Sequence, residues 1–406
     1  LHADLSCPGV NSKQLFSSLG VENGNNIMSS DLDCRIKYSK PNNAAGETSG
    51  EVHFVKPRTG SLGAMFLGKR LPQRAVFSIP QNSSSWGLQL ITDEKPIIVD
   101  VQKNEGQEVV RATGLASDYI SNGVLRVISQ RGRSNIELSG GFLDVARALD
   151  EGLLDGDGAI NSALRLKFDQ LLMPGGLDPL MNANLSVIGD GKGATVVAGQ
   201  VGKGVTLSLT VPDQGPLKLV SANGGELLRM LGIVEDAKGG RLDATINNIS
   251  NGIAGNVTLR DVHVTQMPVL LRLLSVASLQ GIADGLQGRG VRFDEVHIPF
   301  KAEDGKITIL DALAKGPSIG LTIEGTATGV EGSKILDLSG VLIPVYGVNS
   351  LIGQVPIIGD LVTGGERSGL ISINYSLQGP TADPSVSVNP VTSVIPGPIK
   401  RLFGID

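Results

Sequence analysis

The chain has 406 residues, a formal net charge of −5 and 18% charged residues, and its hydrophobic content of 41% includes only 3% aromatics. Charge so sparse and unclustered excludes the basic footprint of a nucleic-acid binder; a soluble domain usually carries roughly 25%. The 54 glycines and 20 prolines are spread along the whole length, which predicts many short strands separated by turns.

The chain begins at Leu1 with no basic stretch leading into an apolar one, so it reads as a portion excised from a longer protein. Cys7 and Cys34 are its only cysteines. Their unlike flanks and the lack of a C-x-x-C exclude a zinc site; a disulfide in an oxidising compartment and two unrelated buried thiols both fit. Up to residue 135 the segments RAVFSIP, WGLQLI, PIIVDVQ and VLRVIS read as strands, with exposed loops from Asn42 to Glu47 and from Asn82 to Ser85. A soft boundary there gives two regions, 1–135 and 136–406.

Beyond it, GGFLDVARALD places Phe142, Val145, Ala146 and Leu149 on one face of an amphipathic helix. GGELLRMLGI does the same with Leu227, Leu228 and Leu231, and each helix follows a strand and a Gly-Gly pair, as a degenerate repeat would. A third helix, PVLLRLLSVASLQGI, opens on Pro268, a favoured first position. Everything else alternates with period two. In ALRLKF, Leu164, Leu166 and Phe168 oppose Arg165 and Lys167; in VTLSLTV, Val205, Leu207, Leu209 and Val211 oppose Thr206, Ser208 and Thr210. LTIEGTAT sets Leu321 and Ile323 against Thr322 and Glu324, while LISINYSL sets Ile371, Ile373, Tyr375 and Leu377 against Ser372, Asn374 and Ser376. Val386 and Val388 alternate with Ser385 and Ser387. NVTLRDVHV changes phase between Leu259 and Val262, as a bulge would require. The Asp-Gly pairs at 155–156, 157–158, 190–191 and 304–305 are hairpin signals. One wet and one apolar face per strand is the mark of antiparallel sheet.

No catalytic constellation emerges, and no cofactor or metal is implied. His2, His53, His263 and His297 lack metal-ligand spacing. GPSIG, from Gly316, matches G-x-S-x-G, but Ser318 leads into a strand where a nucleophile elbow needs a helix. GDGKGAT, from Gly189, lacks the gap of a phosphate-binding loop and reads as a turn, so no nucleotide is expected. An apolar face repeated over many strands must be covered by a second sheet, closed into a barrel or left open for a ligand.

From Asn135 to Phe403 the chain resembles the AsmA-like C-terminal region of the YhdP/TamB/AsmA superfamily, in its alphaproteobacterial YhdP-like branch. The segments that carry the likeness are LVSANGGELLRMLGI with GGRLDATI, GNVTLRDVHVTQMPVLLRLLSVASLQGI, the run from GRGVRFDEVHIPF to GLTIEGTAT, and the run from LDLSGVLIPVYG to PIKRLF. The resemblance implies a mostly β fold: an elongated, curved antiparallel sheet forming an open apolar groove, with a few short amphipathic helices. It also implies a non-enzymatic protein of the Gram-negative periplasm, anchored in the inner membrane outside this chain, that carries phospholipid between inner and outer membranes. The expected groove residues are Leu164, Leu166, Val205, Leu207, Leu209, Val211, Leu321, Ile323, Ile371, Ile373 and Tyr375. A periplasmic scaffold for outer-membrane biogenesis with a sealed core is the alternative, and a hydrolase using Ser318 a further one.

One segment stands apart. GVLIPVYGVNSLIGQVPIIGDLVTGG is highly apolar, yet Pro344, Gly347, Gly353, Pro356 and Gly359 break it far short of the ~20 residues a spanning helix needs. It is expected to form apolar loops that either cap the sheet or dock a membrane surface or outer-membrane partner. Val345, Tyr346, Leu351, Ile352, Ile357, Ile358 and Leu361 would do the docking, together with Leu402 and Phe403 beside Lys400 and Arg401 near the end of the chain.

Overall fold

The computed structural model of the chain describes residues 2–6, 10–11, 28–40, 46–59, 61–81, 83–131, 133–151, 163–173, 177–189, 194–234, 236–265, 268–277, 289–329, 335–344, 372–381 and 383–389. The protein is mostly β and divides into two units, Leu1–Gly204 and Val205–Asp406. The soft boundary near residue 135 falls within a strand of the first.

That first unit holds β1 (His2–Ser6), β2 (Val10–Asn11), β3 (Met28–Ser39), β4 (Glu47–Thr59), β5 (Arg74–Pro80), β6 (Ser85–Ile91) and β7 (Ile97–Asn104). It continues with β8 (Gln107–Leu115), β9 (Gly123–Gln130), β10 (Arg133–Asp144), β11 (Ala163–Leu172), β12 (Leu180–Gly189) and β13 (Ala194–Val201). β1 and β2 both lie along β3, and from β3 to β13 each strand pairs with the next. The sheet is antiparallel throughout except for the parallel pair β10–β11. Among the described residues its first and last strands do not meet, so it is open.

Cys34 is buried on β3 and disulfide-bonded, and Cys7 is the only other cysteine of the chain.

Two short helices pack on this sheet. α1 (Ser61–Leu67), which the sequence did not announce, sets Leu67 against Ile97 and Leu115, with Phe66, Leu90, Val99 and Leu125 around them. α2 (Val145–Asp150) is shorter than the expected helix. Its would-be first turn, Gly140 to Leu143, remains strand because Phe142 and Leu143 pair with Gln170 and Leu171 of β11. Asp144 then caps the helix, accepting from the Arg147 N–H at 2.9 Å. Arg147 lies 5.0 Å from the centre of the Tyr119 ring and bonds Glu151 at 2.8 Å. The hydrogen bond from Tyr119, and then that from Arg147, hold the Glu151 carboxyl below its ordinary value.

The second unit holds β14 (Val205–Pro212), β15 (Leu217–Ser221), α3 (Gly224–Met230), β16 (Ala237–Lys238), β17 (Arg241–Ile249) and β18 (Gly252–Val264). After α4 (Pro268–Val276) come β19 (Val291–Glu303), β20 (Lys306–Lys315), β21 (Ile319–Thr328), β22 (Ile335–Pro344), β23 (Ile373–Pro380) and β24 (Ser385–Asn389). All pairings are antiparallel, running from β14 through β15 and β17 to β24, with β16 on β18. The turn at Asp304-Gly305 has both residues at positive φ, as its sequence foretold. The supposed Gly-Gly-helix repeat turns out to be two different connections. After α2 the chain returns along the sheet to start the parallel β11, whereas after α3 it re-enters antiparallel to β15.

Alternation slips at defined points. Leu259 and Val262 are both buried although three residues apart, with Asp261 between them at φ 59°. The ladder to β19 stays in step, Arg260 facing Glu295 and Val262 facing Phe293, so a left-handed residue changes the face and no residue is inserted as the expected bulge would require. Asn182, at φ 50° between buried Leu180 and Ala183, does the same while β11 and β12 keep register. Asp311 (φ 49°) and Gly114 (φ 82°) sit where the register truly shifts. Asn and Asp suit these positions because their short polar side chains tolerate the left-handed well. Asn182→Val is therefore expected to lower stability by about 1–2 kcal/mol in urea unfolding, with Asn182→Gly close to wild type; equal midpoints for all three proteins would refute the assignment.

Candidate functional site

Because facing residues of a ladder share one side of the sheet, register converts alternation into a surface. In the first unit Phe77, Leu88, Val99, Ala112, Leu125, Leu138, Leu166 and Leu185 stand directly opposite one another from β5 to β12. A second row runs alongside through Trp86, Val101, Val110, Val127, Ile136, Leu164, Val187 and Val197. Neither row contains a polar side chain. The residues between them belong to the other face, where Asp100, Arg111, Arg126, Glu137, Arg165 and Ser186 face one another in turn. That face is wet, and its shallow hollows are lined by Ser78, Gly87, Asp100 and Arg111 and by Glu137, Arg165 and Lys167.

The apolar rows are not packed shut. Of the first row only Leu138 and Leu185 are buried, and of the second only Val101 and Val187; the rest are half-buried. Among the described residues no second sheet covers them, and α1 shields the stretch around Ile97 and Leu115, with Val99 and Leu125 of the first row beside it. The wall thus keeps part of its hydrocarbon surface in reach of solvent.

The second unit, taken by itself, has two such rows. Leu209, Leu219, Ala244, Val257 and Ile298 form a facing row in which only Ala244 is buried. Leu242, Leu259, Val296, Ala314, Leu321, Leu342 and Ile373 form another in which only Val296 is not. The expected groove residues sort accordingly. Leu164, Leu166, Leu207, Leu209 and Ile323 are half-buried and line accessible wall. Val205, Leu321, Ile373 and Tyr375 are buried and support it from within. Val211, 40% exposed near the end of β14, stands clear, and Ile371 lies outside the described residues. The β5–β9 part of the wall was missed as a site, although RAVFSIP and WGLQLI carried the same alternation.

Four aromatics of the wall share one arrangement: each stands opposite a glycine. The pairs are Phe77 with Gly50, Phe168 with Gly140, Phe300 with Gly255 and Tyr375 with Gly340. A Cβ on these glycines would come within 2.8 Å of Phe77 Cζ, 3.0 Å of Phe168 Cε1, 3.2 Å of Phe300 Cε1 and 2.8 Å of the Tyr375 hydroxyl. The rings lie down over bare backbone, which protects it from water and keeps the wall low.

Tyr375 has a second task. Between the facing pairs Leu321–Leu342 and Glu324–Ser339 the β21–β22 ladder is stitched by side chains. The Val341 N–H donates to Thr322 Oγ1 at 3.0 Å, and the Tyr375 hydroxyl reaches across Gly340 to the Thr322 carbonyl at 2.7 Å. Burial pushes the Tyr375 phenol above its ordinary value.

Among the described residues no three of His, Cys, Asp and Glu gather as a metal site, and no helix is long and apolar enough to cross a membrane. Ser318 is exposed in the turn ahead of β21. The docking candidates Val345, Tyr346, Leu351, Ile352, Ile357, Ile358, Leu361, Leu402 and Phe403 lie outside the described residues.

Tyr375→Phe removes the hydrogen bond to the half-buried Thr322 carbonyl and is expected to cost about 1 kcal/mol in chemical unfolding. Because the folded state holds the protonated phenol, its contribution is complete below about pH 10 and declines above it; the variant should show a flatter decline there, and a wild-type-like stability and pH profile would contradict the bond. In comparisons with known proteins, no family model, curated protein or solved structure matches this chain.

Proposed function

We propose that the chain is a non-enzymatic carrier of phospholipid, its acyl chains lying along the apolar wall with headgroups in water. One observation carries this reading: two uninterrupted apolar rows cross β5 to β12 in register, and most of their side chains remain accessible. At ~0.8 kcal/mol per methylene, burying about ten of them offers ~8 kcal/mol, ample for retention. Sliding along the wall exchanges equivalent contacts, so the groove itself needs no nucleotide, cofactor or catalytic residue.

The resemblance to AsmA-like proteins supports the same reading and, with it, a periplasmic location in a Gram-negative cell. The disulfide at Cys34 fits that oxidising compartment. In this reading the apolar segment after Pro344, together with Leu402 and Phe403, meets the outer membrane or a partner there. A second reading, a scaffold with a sealed core, draws on β20 to β23, where Ala314, Leu321, Leu342 and Ile373 are buried.

Lipid extraction and mass spectrometry of the purified chain test the choice. The carrier reading expects co-purifying phospholipid that is lost from the Leu207→Asp, Leu209→Asp double variant while its far-UV spectrum stays that of wild type. Wild-type protein free of lipid, or a variant that unfolds, would favour the sealed scaffold.

A further inference from the structure

The two borders of the wall in the first unit are unlike. At one border β4 leads into α1 and β10 into α2; at the other, β7 turns back into β8 and β9 into β10. The helix border is sealed. Ile97, Leu115, Ile120, Leu143, Phe168 and Leu180, toward that end of the sheet, are all buried. α1 lies on Ile97 and Leu115 through Leu67, and α2 packs against β11.

The hairpin border is polar. Lys103 stands two residues beyond Val101 on the same side of β7, and the ladder carries its row through Glu108, Ser129 and Ser134. Their inward neighbours are Val101, Val110, Val127 and Ile136 of the second apolar row, so polar side chains succeed apolar ones in one step. The Ser129 and Ser134 hydroxyls are hydrogen-bonded at 3.0 Å. Lys103 and Glu108 face each other, yet among the described residues neither side chain has an ion-pair partner. The width between the borders suits one acyl chain. From Lys103 to Ile97 is about 20 Å at ~3.3 Å per residue. An acyl chain fills one leaflet, about 15 Å of a ~30 Å hydrocarbon core. Laid along the strands, it covers the open wall and ends against the helices; laid along the rows, it would set its head on leucine and valine.

We infer that a phospholipid bound to the first unit lies along the strands, its head at the hairpin border by Lys103 and Glu108 and its tails directed at α1 and α2. This rests on the carrier reading. The head that fits carries both charges, its phosphate toward Lys103 and the Ser129–Ser134 pair and its ammonium toward Glu108. Trp86, the one tryptophan of the chain, faces Val101 in the second row and reports depth. The full chain is incubated with phosphatidylcholine vesicles brominated either near the head or near the end of the acyl chains, re-isolated by gel filtration, and its fluorescence read. Bromines near the head are expected to quench Trp86 about twofold more than those near the chain end. Trp86→Phe with Leu88→Trp moves the reporter about 7 Å toward the helices and should shift the balance toward the chain-end bromines; if that variant unfolds, the wild-type order decides. Equal quenching from both depths, or the opposite order, would overturn this orientation and leave the carrier reading standing. Glu108→Gln is expected to lower the preference for phosphatidylethanolamine over phosphatidylglycerol about threefold, and Glu137→Gln on the wet face to leave it unchanged. Equal shifts, or none, would overturn the head contact. Wild-type protein re-isolated without lipid would overturn the carrier reading and the orientation with it.

Discussion

The molecule depends on strand register. A one-residue slip in any ladder would turn that strand's apolar set to the wet face and break both rows at once. From β5 to β13 the rows hold because every pairing keeps an apolar side chain opposite another, while on the other face Arg111 stands opposite Asp100 and Arg126, and Arg165 opposite Glu137 and Ser186. Even the one parallel pairing preserves them: Leu138 meets Leu166 and Ile136 meets Leu164 although β11 runs the other way from its predecessors' habit. Where the face must change, at Asn182 and Asp261, a left-handed residue turns the strand while the ladder stays in step.

Packing then decides which part of the wall is open. Toward β21 to β23, Leu342 and Ile343 are fully buried, Ile373 nearly so, and Tyr375 spends its hydroxyl on a carbonyl two strands away. Across β5 to β11 most of the same residue types remain half-buried, since among the described residues only α1 lies over them, around Ile97, Val99, Leu115 and Leu125. The low aromatic content takes on a physical meaning here. Rings that stand upright would crowd the wall; Phe77, Phe168, Phe300 and Tyr375 instead lie over Gly50, Gly140, Gly255 and Gly340, and most of the remaining surface is aliphatic. An aliphatic surface favours flexible chains over rigid ligands, since it offers dispersion contact and no directed hydrogen bond.

Much of this was legible in the sequence. VTLSLTV and ALRLKF declared their faces, Asp304-Gly305 its turn, and Pro268 the start of a helix. What alternation could not reveal is who faces whom, because period two is identical in an open wall and a sealed core. Leu209 and Leu321 read alike, yet one is accessible and the other buried. The helix expected from Gly140 to Asp150 lost its first turn to pairing with β11, a tertiary contact that no local periodicity contains.

Photo-crosslinking with a phospholipid that carries a diazirine in its acyl chain, followed by peptide mapping, measures most directly whether hydrocarbon occupies the wall. The account predicts labels on Leu88, Val99, Leu125, Leu166 and Leu209, with Asp100, Arg111 and Arg126 unlabelled on the opposite face. Labels spread over both faces, or confined to the polar one, would contradict it.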